Sequence, residues 1–271
     1  MTQHETVPAE VRQARIRSYV NEHEFVRVSD ISERFDISEV TARADLTALA
    51  EQGYVRRVHG GAVPRKLHRL ERPFDLTEAG LVAARAHLGN EAATRVRSGD
   101  AILVDVGTTT TALARALVAR LDLVEVSVFT NGLTIALELE AAFPRITVVV
   151  TGGTLRPMQH SLVNPLGEHI LDGINATTAF IGCNGVDSVG GITNINLPEA
   201  EIKQKMVAAA RSRIVMAEGR KVGVVELARV CSFDSVDELI TDDRADDDEV
   251  AKIRDRGVEV TVVPHVEGVD G

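Results

Sequence analysis

Cysteine is scarce, and so are long apolar runs. Cys183 and Cys231 stand far apart with no partner spacing, which excludes a disulfide framework and a cysteine zinc site and leaves two small buried or half-buried thiols. The strongest apolar run, Ile146–Val150, is strand-sized, so no membrane span is expected. The opening stretch, Met1 to Glu10, is polar and carries acid, unlike a secretory signal. There is no internal repeat and no low-complexity tract. A cytoplasmic, reducing compartment is the expectation. What is present is ordinary for a globular protein with a real core: 271 residues, 44% hydrophobic and 26% charged, enough for two domains.

An excess of positive charge is also missing, since the net charge is -10. The acidity is not evenly spread. Residues 1–70 hold 11 Lys/Arg against 10 Asp/Glu, whereas residues 71–271 hold 19 against 30. The total therefore does not exclude nucleic-acid binding by the first part.

Residues 9–63 read as three short helices and a hairpin. The first, Ala9 to Glu22, places Ile16, Tyr19 and Val20 on one face. The second starts near Ser29 as N-cap and packs through Ile31 and Phe35. Ser38 opens the third, which runs to Gln52 and stops at Gly53. The strand-like Tyr54–Val58 follows, and Gly60 with Gly61 lets the chain turn. This sets domain one at 1–63, a linker at 64–80 that lacks either periodicity and carries two prolines, and domain two at 81–271.

In the second part, strand-like runs at Ala101–Val106, Val124–Phe129, Ile146–Val150, Thr178–Ile181, Ile214–Met216, Glu238–Ile240 and Glu259–Val263 alternate with helical segments at Thr110–Arg120, Leu133–Ala142, Pro198–Arg211 and Asp246–Arg256. Buried strands joined by crossover helices predict an α/β fold on a mainly parallel sheet. The acidic run from Asp242 to Glu249 reads as a solvated loop and helix start.

On the third helix, Ala42, Leu46, Leu49 and Ala50 form a narrow apolar stripe. Thr41, Ala44 and Ala48 face the other way, with Arg43 on the flank. A short outward face of small and polar residues after a capped turn suits a major groove. The stretch from Gly53 to Leu70 adds five Arg or Lys and no carboxylate, a strip that can neutralise phosphates. A helical bundle used for protein contacts is the bland alternative. Against it, Ser38-Glu39-Val40-Thr41-Ala42-Arg43-Ala44-Asp45-Leu46 and the wing Arg57-Val58-His59-Gly60-Gly61-Ala62 resemble the signature of the DeoR family. The resemblance implies a winged helix-turn-helix on double-stranded operator DNA, with contacts from Ser38, Thr41, Arg43, Arg56, Arg57, His59 and Gly60. Ala42 stands where the family usually has Ile, and Ala44 where it usually has a second Arg, so no contact is carried over to Ala44.

Asp105-Val106-Gly107-Thr108-Thr109-Thr110-Thr111 lies between a strand and a helix, where glycine permits close approach and the helix N-terminus makes an anion cup. Thr130-Asn131-Gly132, Thr151-Gly152-Gly153 and Gly182-Cys183-Asn184-Gly185-Val186-Asp187 follow other strands, at the carboxyl ends where open α/β sheets bind ligands. With Pro198 to Lys203 and Glu218 to Lys221, these segments resemble the DeoR C-terminal sensor domain, which is similar to ribose-5-phosphate isomerase. The resemblance implies that Gly107, Thr108, Thr109 and Thr110 hold the phosphate of a sugar phosphate. Asp105, Thr130, Asn131, Gly152, Asn184, Gly185 and Lys221 would line the rest. Arg220 is an alternative phosphate partner to Lys221, and Asp187 a turn cap. Glu199 and Lys203, four apart on a helix, read as a surface ion pair.

The expected function is a DNA-binding transcriptional regulator, a repressor of carbohydrate genes tuned by a phosphorylated sugar. It is expected to work as a homo-oligomer, dimer or tetramer, with no metal and no cofactor. The rivals are a sugar-phosphate isomerase-like enzyme with a regulatory extension, for which no motif places a base, and an architectural DNA-binding protein without effector.

Overall fold

Helical spacing of apolar residues in the first 64 positions yields α1 (Ala9–Asn21), α2 (Val28–Arg34) and α3 (Glu39–Glu51), with strands β1 (Val26–Arg27), β2 (Val55–Val58) and β3 (Gly61–Pro64). The computed structural model describes residues 9–21, 23, 25–51, 54–58, 60–64 and 79–265, which fall into two compact units, 9–64 and 79–265. In the first unit Ile16, Val20, Ile31, Ala42, Leu46 and Leu49 close one core. Truncating Leu46 there costs about 2–5 kcal/mol.

Asp45 is also buried on this inner face, and is held by Arg12 Nε at 2.6 Å and Gln13 Nε2 at 2.9 Å, so α1 and α3 are joined by charge as well as by packing. One expectation is corrected. Ser29 lies inside α2, and Arg27 is the N-cap; its N–H donates to Asp30 at 3.0 Å, the acid in the first turn taking the capping role. β2 and β3 pair antiparallel from Val55↔Pro64 to Val58↔Gly61, and β1 joins the outer side of β3. Gly61 is needed there, because a Cβ would lie 2.1 Å from the Val26 carbonyl oxygen. Gln52 and Gly53, expected to end α3, lie outside the described residues, as does the linker segment 65–78.

The second unit opens on α4 (Ala79–Ala93). It continues through β4 (Ala101–Val104), α5 (Thr108–Ala119), β5 (Val126–Thr130), α6 (Leu133–Glu140), β6 (Ile146–Val150), β7 (Thr154–Arg156), β8 (Ser161–Val163) and α7 (Leu166–Leu171). Then come β9 (Ala176–Gly182), β10 (Gly185–Asp187), β11 (Gly191–Asn194), α8 (Leu197–Ala208), β12 (Ala210–Met216), β13 (Ala228–Cys231), β14 (Glu238–Asp242), α9 (Asp247–Asp255) and β15 (Glu259–Val263). Seven strands form one parallel sheet in the order β15-β14-β12-β9-β4-β5-β6.

Period-two alternation divides the core between the two faces of this sheet. Ile102, Val104, Phe180, Ile214 and Met216 pack with Leu88 of α4, Leu113 of α5 and Ile135 of α6. Leu103, Ala179, Ile181 and Val215 pack with Ile202 and Met206 of α8 and Ile253 of α9. The hairpin β7–β8 and the small antiparallel sheet β10-β11-β13 were not foreseen. Their strands are three or four residues long, too short for a pattern to register.

The acidic run departs from a wholly solvated loop. Asp242 ends β14 fully buried and accepts from Gly219 N at 3.0 Å, while Asp246 caps α9 and Glu249 accepts from Ser188 N. Cys183 is buried and Cys231 half-buried, both free. Burial pushes both thiols up, Cys231 to about 12, as befits packing groups. Among the described residues no helix is long and apolar enough to cross a membrane.

Candidate functional site

In the first unit α3 buries one face and exposes the other. Ser38 caps it, its Oγ accepting from Thr41 N at 3.1 Å and lying 2.8 Å from the Thr41 hydroxyl. The two hydroxyls thus engage each other at the helix start. Val40, Arg43, Ala44 and Thr47 form the exposed face, and Arg43 is drawn onto Glu39 at 2.6 Å. Both members of that pair are exposed, so it is weak and gives way readily to a phosphate.

From β2, Arg57 Nη1 donates to the Arg43 carbonyl at 3.1 Å, which ties the wing to the recognition helix. Gly60 sits at the wing tip with φ +81 and open space around it. Arg56 lies on β2 beside Arg57. His59 lies outside the described residues. The arrangement offers a helix of groove-compatible profile with a basic hairpin at its side.

In the second unit the strand order reverses between β4 and β9. At such a switch point the loops leaving neighbouring strands run in opposite directions, and open α/β sheets bind their ligands at the carboxyl ends of the strands there. Asp105 leaves β4 and Gly182 ends β9, and the Gly182 N–H donates to Asp105 Oδ2 at 3.0 Å. Lys203 of α8 reaches the same carboxylate oxygen and also donates to the Gly182 carbonyl at 2.8 Å. Both side chains are almost wholly buried.

Burial pushes the Asp105 carboxyl up to about 6, against the pull of Lys203. Burial would lower Lys203, but Asp105 and Glu199 hold its ammonium above the ordinary lysine value. Asp105 Oδ1 is buried and has no partner among the described residues, although a carboxylate oxygen in such a place calls for a donor.

Gly107 begins α5 with φ 154 and ψ 161, backbone that in practice only glycine adopts, and a Cβ there would meet Thr110 Oγ1 at 3.2 Å. The hydroxyls of Thr110 and Thr111 donate to the Gly107 carbonyl at 3.0 and 2.7 Å. Side chains therefore brace the turn, and the N–H groups of Thr108, Thr109 and Thr110, which have no helical acceptor, form the cup. Asn131 accepts from Val106 N at 2.9 Å and is clasped by Leu162 of the β7–β8 hairpin, so it supports the same turn. Thr130 Oγ1 accepts from Gly132 N at 3.0 Å. Gly152, at φ +74, follows β6.

Three expected positions carry structural contacts of their own. The Asn184 amide oxygen accepts from Ile195 N at 3.1 Å, a loop-bracing task. Gly185 lies in the small sheet, where a Cβ would fall 2.4 Å from the Val224 carbonyl oxygen; glycine is needed for packing at that point. Arg220, the alternative phosphate partner, donates to Glu218 Oε2 at 2.9 Å. Lys221 donates to the Cys183 carbonyl at 2.8 Å, beyond the end of β9. Burial holds its ammonium below the ordinary lysine value. Asp187 caps a turn, accepting from Val189 N and Gly190 N.

Glu199 and Lys203 do not form a surface ion pair. Both are buried, and each faces a different partner: Lys203 takes Asp105, while Glu199 takes Arg156 and the Ser161 hydroxyl, the latter at 2.8 Å. Residue spacing overlooked these site-forming groups. The signal available was that Glu199, Lys203, Met206 and Val207 share one helical stripe and that its two apolar members are core residues.

The helix with its wing and the anion cup at a sheet switch point define a ligand-responsive DNA-binding protein. The DeoR-like helix-turn-helix domain model matches residues 12–66, and the DeoR C terminal sensor domain model matches residues 82–243. An uncharacterized HTH-type transcriptional regulator of Bacillus subtilis (strain 168), YulB, is 34% identical over 93% of this chain and 96% of its own. The HTH-type transcriptional regulator GlpR of Haloferax volcanii is 31% identical, over 94% and 97%. A solved ribose 5-phosphate isomerase A from Methanocaldococcus jannaschii aligns with 51% of this chain and 53% of its own at 15% identity and a TM-score of 0.38.

The chain belongs to the DeoR family of transcriptional regulators. It is a DNA-binding transcriptional regulator carrying a C-terminal sensor domain, rather than an enzyme.

Proposed function

We propose that a phosphosugar binds at the switch point with its phosphate on the N–H groups of Thr108, Thr109 and Thr110. Gly107 leaves the approach open, and Lys221 supplies a cation from the neighbouring loop. Asp105 Oδ1 takes a sugar hydroxyl. Thr130, Asn131 and Gly152 shape the wall, with Asn184 and Gly185 acting through the loops they brace. The observation that carries this reading is the buried, unpartnered Asp105 oxygen beside an open helix start.

The DNA reader ends with β3 at Pro64 and the sensor opens with α4 at Ala79, so the linker expected at 64–80 narrows to the segment 65–78. Ser38, Thr41, Arg43, Arg56, Arg57, His59 and Gly60 make the DNA contacts, the arginines neutralising phosphates. Paired half-sites on an operator require at least a dimer, and we assign the protein to the cytoplasm. The ligand works by binding one arrangement of the regulator better than another. A thermal-shift screen against phosphorylated sugars tests this, with hits retested for their effect on DNA binding. A ligand at 100 times its Kd adds about 2.7 kcal/mol. The reading fails if no phosphosugar raises the Tm at saturating concentration.

A further inference from the structure

Helix α4 grips both sides of the proposed anion site. On one side, Arg85 Nε donates to Glu218 Oε1 at 3.0 Å, and both residues are buried. Glu218 follows β12 and opens the turn Gly219–Lys221; its other oxygen takes Arg220 at 2.9 Å. Arg85 thus holds the base of the turn that carries Lys221. On the other side, a Cβ on Gly89 would lie 2.4 Å from the Ala112 carbonyl carbon and 2.7 Å from Leu113 N. The α4 backbone therefore rests directly on that of α5, one turn beyond the anion cup. These two attachments lie four residues apart on α4, on one side of the helix. The Gly89 contact is backbone on backbone, and the Arg85–Glu218 contact joins two buried side chains. α4 is also the first element after the segment 65–78 that leads from the DNA-binding unit.

We propose that α4 carries occupancy of the anion site toward that segment, with Arg85 as the positioning residue that links Lys221 to the helix. The inference rests on the anion-site reading above. An anion held between the start of α5 and Lys221 fixes two surfaces that both bear on α4, so α4 settles when the site fills. Without Arg85 the Gly89 contact remains, but the Lys221 side is released from the helix. Packed elements of this kind pass small shifts on because they do not deform continuously.

The test is hydrogen exchange on the full chain with inorganic phosphate as probe. In the wild type, phosphate slows exchange at residues 107–112 and, by about fivefold, along α4. In Arg85→Met the first effect persists and the second is lost. Arg85→Lys keeps a donor for Glu218 and retains part of the α4 response. If Arg85→Met does not fold, Glu218→Gln takes its place in the comparison. Protection at 107–112 with α4 unaffected in the wild type overturns the link while leaving the anion site standing, and so does an α4 response that survives loss of Arg85. If 107–112 gains no protection, the anion site and the link fall together.

Discussion

The Lys203 ammonium meets the Asp105 carboxylate across the switch point of the sheet, 98 residues away in the chain, with both groups out of solvent. A buried pair of this kind is costly to break from one side. Lys203→Met strands a carboxylate in the interior and is expected to lose about 3–5 kcal/mol in urea unfolding. Adding Asp105→Leu to that variant should recover a large share of the loss. A cost for Lys203→Met alone near that of a surface substitution, within about 0.5 kcal/mol, would mean that water reaches the pair.

Acid should act through Glu218. Burial pushes its carboxyl up, but Lys221, Arg85 and Arg220 together hold it below the ordinary 4.5. A carboxyl lowered on folding contributes stability that is complete above its unfolded value and is lost as pH falls through the folded one. The plot of Tm against pH should therefore drop below about pH 4.5, and Glu218→Gln should flatten that limb. Asp105 works in the opposite sense. Raised from 3.8 to about 6, its contribution is present below 3.8 and is lost as pH rises through about 6. An acid limb unchanged in Glu218→Gln would count against the cationic cage.

Gly107→Ala should damage the cup at its root. The backbone angles there strain any L side chain, at about 1–3 kcal/mol, and the new methyl presses on Thr110. Phosphosugar stabilisation in the thermal-shift assay should disappear while the far-UV spectrum stays that of the wild type. Retained stabilisation would move the phosphate elsewhere.

Arg57→Ala should weaken binding to every duplex and flatten the plot of log affinity against log salt by about 0.9, the share of one phosphate. Since Arg57 also ties the wing to α3, the loss should exceed that of Arg43→Ala on non-specific DNA. Titrations at several salt concentrations decide the matter, and an unchanged slope removes the phosphate contact.

Central strands of the second unit could be read from the chain where burial on both faces makes a continuous apolar run, as in β4; the edge strands β6 and β15, partly exposed, match their expected limits residue for residue through their β-branched residues. The glycine and threonine turns at the strand ends were equally visible, since they depend on backbone geometry that few residue types allow. The Lys203 and Glu199 contacts were hidden. Two opposite charges four apart on a helix look alike in sequence whether the face meets water or a crevice, and only the arrival of β4 and β9 on either side settles which. Arg85 was hidden for the same reason, its partner being 133 positions away.

The strand order also sets a timetable for synthesis. The described strands and helices of the DNA-reading half are all synthesised by residue 64, whereas the sensing site must wait for Lys203 and Lys221. A chain cut short between those points would carry a gene-binding head with no sense organ, and Asp105 would have no cation to receive it.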